Sequence, residues 1–257
     1  MEHLSIEIIL FLMAFGFLAS FIDSVVGGGG LISIPALLFL GLPPSAAIAT
    51  NKLAATMGSL TSTVYFIRQK KVDMRIMKRL LPYTIAGAFV GALVVRFISS
   101  EILRPLVLVL LVMVALYIFI KKDWGSTSTY RGLTKGKRVL FLAIILAIGF
   151  YDGFFGPGTG SFLIFAFLMI GFDFIHAAAS GRMLNFASNI TALITFLFLG
   201  AIHFEYGIIM GLSMVIGAFA GTKFAVNKGV GYVRILFLIV TVLLIGKNVV
   251  EYFHLIQ

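Results

Sequence analysis

Apolar residues along this chain fall in long unbroken runs, rather than in the alternation of a half-buried strand or the one-sided stripe of a soluble helix. Runs near the length of a membrane-crossing helix, about 20 residues, cover 4–26, 46–67, 80–98, 102–120, 174–202, 207–226 and 232–253. Two further stretches are short: 31–42, and the pair 139–151 and 161–172. Each adjoins a glycine cluster, Gly27-Gly28-Gly29-Gly30 or Gly156-Pro157-Gly158-Thr159-Gly160. The pattern predicts an all-α integral membrane protein of about eight hydrophobic helical segments. Polar Gly, Ser and Thr residues gather at 124–137, inside a connecting loop of about 121–138, and divide the chain into halves of 1–130 and 131–257.

The halves share an order of features. A shift of 130 positions lays Gly28, Gly30, Gly41, Ala47 and Ala49 on Gly158, Gly160, Gly171, Ala177 and Ala179, and Lys52 on Arg182. Ser59 falls on Asn189, and a shift shorter by one residue brings Asp23 onto Asp152. Each half then reads as an acidic residue, a glycine cluster, a short apolar run, a turn, and a helix with a basic residue in its first third. Paired glycine-broken segments in two halves point to the binding site of a transporter. The expectation is two homologous membrane repeats, each with a glycine-broken first segment.

Composition sharpens the class. The chain is 60% hydrophobic and 12% charged, against about 25% charged in soluble domains. A net charge of +10 would suggest a nucleic-acid partner on a soluble protein. Here the basic residues sit between apolar runs, as the positive-inside rule expects, so lipid is the partner and nucleic acid is not. The absence of cysteine excludes disulfides and thiolate sites. Residues 1–7 lack Lys and Arg, so the first apolar segment is read as retained rather than cleaved.

Charge also weighs two topologies. If every segment crosses, the repeats are parallel. If each glycine cluster turns the chain back within the membrane, the repeats are inverted. Inversion puts Arg68, Lys70, Lys71, Arg75, Lys78, Arg79, Lys121, Lys122, Arg131, Lys135, Lys137, Arg138, Lys223, Lys228 and Arg234 on the cytoplasmic side. Only Arg96, Arg104 and Lys247 then lie in outer connections. The parallel arrangement moves Lys223, Lys228 and Arg234 out, so the rule favours inversion with both termini outside. The run at 4–26 argues the other way, being long enough to cross alone.

Lys52 and Arg182 fall inside apolar helices, where a mid-bilayer charge costs about 2.5–3.5 kcal/mol on insertion scales. Each heads a polar stripe. Asn185 and Asn189 follow Arg182 on one helix face, and Thr56, Ser59 and Thr63 follow Lys52. Two helices would thus present a cation and hydrogen-bond donors to a shared interior, which suits an anion. The competing reading is that the two bases snorkel to an interface, or bond carbonyls freed at the glycine breaks. The glycine clusters permit tight turns, and the segments beginning near Leu31 and Ser161 would offer half-helix N-termini whose N–H groups favour an anion. Close helix packing alone would also use such glycines. Asp23 and Asp152 adjoin the clusters; they are read as charge partners of Lys52 or Arg182, or as proton carriers.

Further candidates carry less. His176 opens the Arg182 helix and titrates near neutrality when unperturbed. His3, His203 and His254 lie near segment ends, and Glu205 and Asp73 in connections. The pairs Gly87/Gly91 and Gly217/Gly221 suit close helix packing, either within the protomer or at a homodimer seam. There is no nucleophile–base pair and no clustered His/carboxylate set among the intramembrane residues. An enzyme, a metal and a cofactor are therefore not expected.

At these motifs the chain resembles the TauE/SafE sulfite-exporter family. The matching stretches run from Asp23 through Gly27-Gly28-Gly29-Gly30 to Ile34-Pro35-Ala36-Leu37-Leu38, then Gly41-Leu42-Pro43-Pro44-Ser45 to Ala49-Thr50-Asn51-Lys52. In the second half they are Gly149-Phe150-Tyr151-Asp152 through Gly156-Pro157-Gly158-Thr159-Gly160, and Arg182-Met183-Leu184-Asn185 to Ser188-Asn189. The resemblance covers nearly the whole chain. It implies a multi-pass bacterial cell-membrane transporter of sulfite, sulfoacetate, taurine-like sulfonates or related anions.

Residues and resemblance together give an expected secondary transporter of small anions by alternating access. Lys52 and Arg182 would neutralise the substrate. Thr50, Asn51, Asn185, Ser188 and Asn189 would bond its oxygens. Gly28, Gly29 and Gly30, with Gly158, Thr159 and Gly160, would offer backbone N–H groups. An anion channel on the same site, or a carrier of small carboxylates, is the alternative.

Overall fold

The computed structural model describes residues 5–95, 125 and 127–228. Over these the chain is helical: α1 (Ile6–Val26), α2 (Gly30–Phe39), α3 (Pro44–Arg68), α4 (Met74–Val94), α5 (Lys135–Phe154), α6 (Thr159–Met169) and α7 (Phe174–Leu199), then α8 (Phe204–Lys228). The helices expected at 102–120 and 232–253 lie outside the described residues. So do Arg96, Arg104, Lys121, Lys122, Arg234, Lys247, His3 and His254.

Local chemistry sets the helix ends. Ser5 caps α1 by accepting the Ile8 N–H at 3.3 Å. Asp73 and Asp173 cap α4 and α7, each accepting two N–H groups of the first turn. Proline stands at the first position of α3, where its missing N–H costs nothing. α1 stops where Gly27 and Gly28 adopt φ of 81° and 90°, and α6 starts from Gly158 at φ 84°. A side chain disfavours that left-handed region, so glycine lets the chain reverse there.

Two boundaries differ from the apolar runs. α4 begins at Met74 rather than 80, and α5 at Lys135 rather than 139. The basic residues Arg75, Lys78 and Arg79 ride on the first turns of α4 and are exposed. Hydropathy marks where a helix enters apolar surroundings, whereas capping marks where its hydrogen bonding begins.

The distribution of polarity is inverted relative to a water-soluble domain. Ile6, Leu10, Phe39, Leu140 and Phe198 are between 61% and 87% exposed, while Lys52, Asp152 and Arg182 are at most 3% exposed. Charged residues are almost never fully buried in soluble folds unless paired. Among the described residues four helices, α1, α4, α7 and α8, are long and apolar enough to cross a membrane, and α2 and α6 are shorter apolar helices. α3 has 25 residues, but its buried face carries Thr50, Asn51, Lys52, Thr56, Ser59, Ser62 and Thr63.

Glycines bring backbones together and fix helix directions. A Cβ on Gly149 would meet the Thr84 carbonyl oxygen at 2.7 Å, and one on Gly91 the Phe154 nitrogen at 2.8 Å, so α4 and α5 run side by side in the same direction. Gly217 and Gly221 similarly face the Phe17 and Phe21 backbones, so α8 runs with α1. All four glycines read as packing residues are therefore used within one chain. α3 and α7 run antiparallel, with Lys52 opposite Asn189 and Thr63 opposite Arg182.

The turns at the ends of the two short helices keep different company. The turn after α6 bonds the central loop, Thr129 N–H to Gly171 O at 2.7 Å and Phe174 N–H to Gly125 O at 3.0 Å. Near α2, the start of α3 meets the α7–α8 connection, where the His203 N–H donates to Thr50 Oγ1 at 2.9 Å.

Candidate functional site

The two glycine turns touch. A Cβ on Gly30 would lie 3.2 Å from the Pro157 Cα, and one on Gly160 would lie 2.7 Å from the Gly27 Cα. Ser161 Oγ donates to the Val26 carbonyl at 3.0 Å, tying the start of α6 to the end of α1. A Cβ on Gly160 would clash with the Gly27 backbone and one on Gly30 would press on Pro157, so glycine lets the two turns approach this closely.

Around that contact lie two ion pairs, and each joins the two halves of the chain. Lys52 Nζ on α3 donates to Asp152 Oδ1 on α5 at 2.7 Å, and to Asn189 Oδ1 on α7 at 3.0 Å. Arg182 on α7 donates through Nη1 to Asp23 Oδ2 on α1, and through Nη2 to the Asp23 carbonyl. Asn185 connects the pairs. Its Oδ1 accepts from Arg182 Nη1 at 2.8 Å, and its Nδ2 donates to Asp152 Oδ2 at 3.0 Å. Ser188 Oγ also donates to Asp152 Oδ2. One hydrogen-bonded chain therefore runs Lys52, Asp152, Asn185, Arg182, Asp23 across four helices.

The arrangement is electrically balanced. Two cations face two carboxylates, and the buried oxygens and N–H groups are mostly satisfied, which is what makes charges tolerable in a low-dielectric interior. Arg182 Nε is an exception, being buried with no hydrogen-bond partner. Asp23 is the more open carboxylate, its side chain 20% exposed against 2% for Asp152. Asp23 Oδ1 also accepts the Gly29 N–H at 3.0 Å, so the carboxylate occupies the N-terminal end of α2. Glycines cover both pairs. A Cβ on Gly156 would stand 2.9 Å from Lys52 Nζ and 3.0 Å from Asp152 Oδ1; one on Gly160 would stand 3.1 Å from Arg182 Nη2.

Of the residues singled out in the sequence, Lys52, Arg182, Asp23, Asp152, Asn185, Ser188, Asn189, Gly29 and Gly160 converge here. Thr50 faces His203, away from the pairs. Asn51 Oδ1 accepts from Ser33 Oγ on α2 at 2.6 Å. Gly28 serves the turn through its φ, Gly30 abuts Pro157, Gly158 caps α6, and Thr159 Oγ1 bonds back to Gly156 O. The polar stripe of α3 is mostly satisfied by carbonyls. Thr56 and Ser59 bond back to Lys52 O and Ala55 O, and Thr63 donates to Arg182 O. The reading that Lys52 and Arg182 snorkel to an interface does not hold, since they are 1% and 3% exposed.

Several contributors were not named as site residues from the sequence: Gly156 over the lysine pair, Ser33, Ser161, and Tyr151, whose hydroxyl donates to Pro157 O at 2.6 Å and braces the second turn. Only the neighbourhood of Tyr151 to Asp152 and of Gly156 to the cluster marked them in advance.

A separate surface cavity of about 290 Å³ opens between Lys70, Asp73, Tyr130 and His176. Beside it, His176 Nδ1 lies 2.7 Å from Asp173 Oδ2. Burial pushes the Asp173 carboxyl up, but hydrogen bonds and charge from His176 and the Ile175 N–H outweigh this and hold it below its usual value.

Comparison with known proteins adds the lineage. A probable membrane transporter protein of a Sinorhizobium species is 38% identical over 95% of this chain and 93% of its own length. One from Haemophilus influenzae is 36% identical over 98% and 99%. The probable membrane transporter protein YfcA of Escherichia coli is 37% identical over 93% and 88%. No solved structure matches. The family profile described as sulfite exporter TauE/SafE matches residues 12–248, and with the relatives it makes this chain a member of that family of membrane transporters.

Proposed function

We propose that the chain is a secondary transporter that moves small anions, sulfite or sulfonates foremost, across a bacterial cytoplasmic membrane by alternating access. The observation that carries this reading is the cluster of Lys52 and Arg182, buried at the contact of two glycine turns and contributed by opposite halves. A guanidinium matches two oxygens of a sulfite or sulfonate group with paired donors, and an ammonium adds a point charge. Asn185, Ser188 and Asn189 supply further polar atoms within the same network. Both cations sit where movement of one half against the other would change their surroundings, as alternating access requires.

The same reading takes the halves as inverted repeats. α1 runs with α8 and α5 with α4, while α3 and α7 oppose each other. The turn after α6 lies with the central loop and the basic connection at Lys70, and the start of α3 lies with the α7–α8 connection. α1–α2 and α5–α6 would then be hairpins entering from opposite faces and meeting at mid-depth, with Lys70 and Lys71 cytoplasmic.

Purified protein in liposomes, offered sulfite, thiosulfate, sulfonates and carboxylates, tests the assignment. Saturable flux with counterflow is expected for at least one sulfur anion, and loss of that flux in Lys52→Ala and Arg182→Ala proteins that still insert. Wild-type flux in both variants rejects the site; unitary conductance in a bilayer rejects a carrier in favour of a channel.

A further inference from the structure

Asp23 is seated where a transported anion would be expected. Its Oδ2 takes Arg182 Nη1 and its Oδ1 takes the Gly29 N–H at the start of α2. A guanidinium and a helix N-terminus are the two groups a protein most often offers to an oxyanion. Here an internal carboxylate fills the seat, and Arg182 Nε remains buried and unpartnered beside it.

Electroneutrality then restricts how an anion can enter. The cluster carries two positive and two negative charges. Adding an anion without another change leaves one buried charge uncompensated, which is costly at membrane depth. Arginine stays protonated in proteins, so the balancing group must be a carboxylate. Asp23 qualifies better than Asp152, because its side chain is 20% rather than 2% exposed and so is the less enclosed of the two. The groups around Asp23 are Arg182 from α7 and, through Asn185, the Lys52–Asp152 pair from α3 and α5. α2 and α6 carry no titratable residue, and Lys223 of α8 is exposed.

Resting on the anion reading, we propose that Asp23 is the proton carrier of a proton–anion cotransport cycle. Its carboxylate takes one proton from the water on the side to which the site is open, and becomes a neutral carboxyl. That releases Arg182 Nη1 and the Gly29 N–H, and the anion takes both. With a monoanion aboard, the site crosses with its charge unchanged; a dianion accompanied by the one proton carries one net negative charge across. On the other side the anion leaves, the proton leaves, and the carboxylate closes on the guanidinium again.

The test uses the full chain in lightly buffered liposomes with potassium and valinomycin clamping the potential at zero, and an internal pH dye. Methanesulfonate and thiosulfate serve as probes, since both are fully ionised near neutrality, so that any proton moved belongs to the protein. Sulfite is added at a pH where it carries no proton of its own. The expected result is acidification of the compartment that gains the anion. An imposed gradient of about one pH unit should hold a monoanion at about tenfold accumulation, if one proton accompanies each charge. Asp23→Asn should lose acid-driven accumulation, and Asp23→Glu should recover it, which separates a lost proton from a lost fold. Anion flux with no proton movement overturns the coupling and leaves the anion carrier standing. No flux of any probe overturns the anion reading itself, and the coupling with it. Acid-driven accumulation that survives Asp23→Asn but fails in Asp152→Asn overturns the assignment to Asp23.

Discussion

Lys52 and Asp152, 100 residues apart in sequence, lie 2.7 Å from each other with under 3% of either side chain exposed. The mirrored pair, Arg182 with Asp23, makes the reciprocal bond. Neither base pairs with the acid of its own half, so the halves are locked to each other by charge at their meeting point.

Deleting one member of the lysine pair leaves the other buried and unpaired, a loss of about 3–5 kcal/mol. Lys52→Ala and Asp152→Ala should each lower thermal stability in detergent by that order. The double variant should lose less than the two singles summed. Additive losses would mean that the two side chains do not interact in the folded protein.

Gly156 has φ 95°, and a Cβ there would press on both Lys52 Nζ and Asp152 Oδ1. Gly156→Ala should therefore cut anion flux strongly, through a displaced ion pair as well as a strained backbone. Gly41→Ala separates the two effects. Its φ is 84° with nothing within 4 Å, so only the backbone cost applies, about 1 kcal/mol, with flux largely kept. Gly136→Ala, in open space on α5, should keep flux and raise stability slightly, since alanine favours the helix more than glycine does.

The chain contains no cysteine, so single introduced thiols report cleanly. His203 and Ser128 are both exposed. Under inversion, His203→Cys should react with a membrane-impermeant maleimide added outside intact cells, and Ser128→Cys only after the inner face is opened. Labelling of position 203 only from the cytoplasmic face would refute the arrangement.

The Asp173 carboxyl is held below its usual value, so the folded protein binds fewer protons there than the unfolded chain does. Its stabilising contribution is present above the ordinary carboxylate pKa and is lost as pH falls through the depressed value. Asp173→Asn keeps a capping oxygen and removes the charge. The variant should unfold below the wild-type melting temperature at neutral pH, with the gap closing on acidification. Asp173→Ala, which also loses the cap, should cost about 1 kcal/mol more. A gap that widens in acid would show that the charge does not stabilise this end of α7.

The sequence alone determined that α1, α4, α7 and α8 are long apolar helices, that the chain carries glycine clusters before α2 and α6, and which charges are costly, because each of these depends on local quantities. Run length marks a long apolar helix, a glycine cluster marks a place where a helix can break, and a lysine or arginine within an apolar run is expensive wherever the helix packs. Asp23, Asp152, Asn185, Ser188 and Asn189 were legible for the same reason, being polar groups at helical spacing in apolar surroundings. Tertiary structure decided the pairing. Lys52 and Arg182 coincide under a shift of 130 positions, and nothing local says that each takes the carboxylate of the other half, that Asn185 joins the pairs, or that Thr50 turns away to His203. Those choices follow from helix directions and from glycine contacts that let the turns touch, and such distances exist only when both halves are folded together.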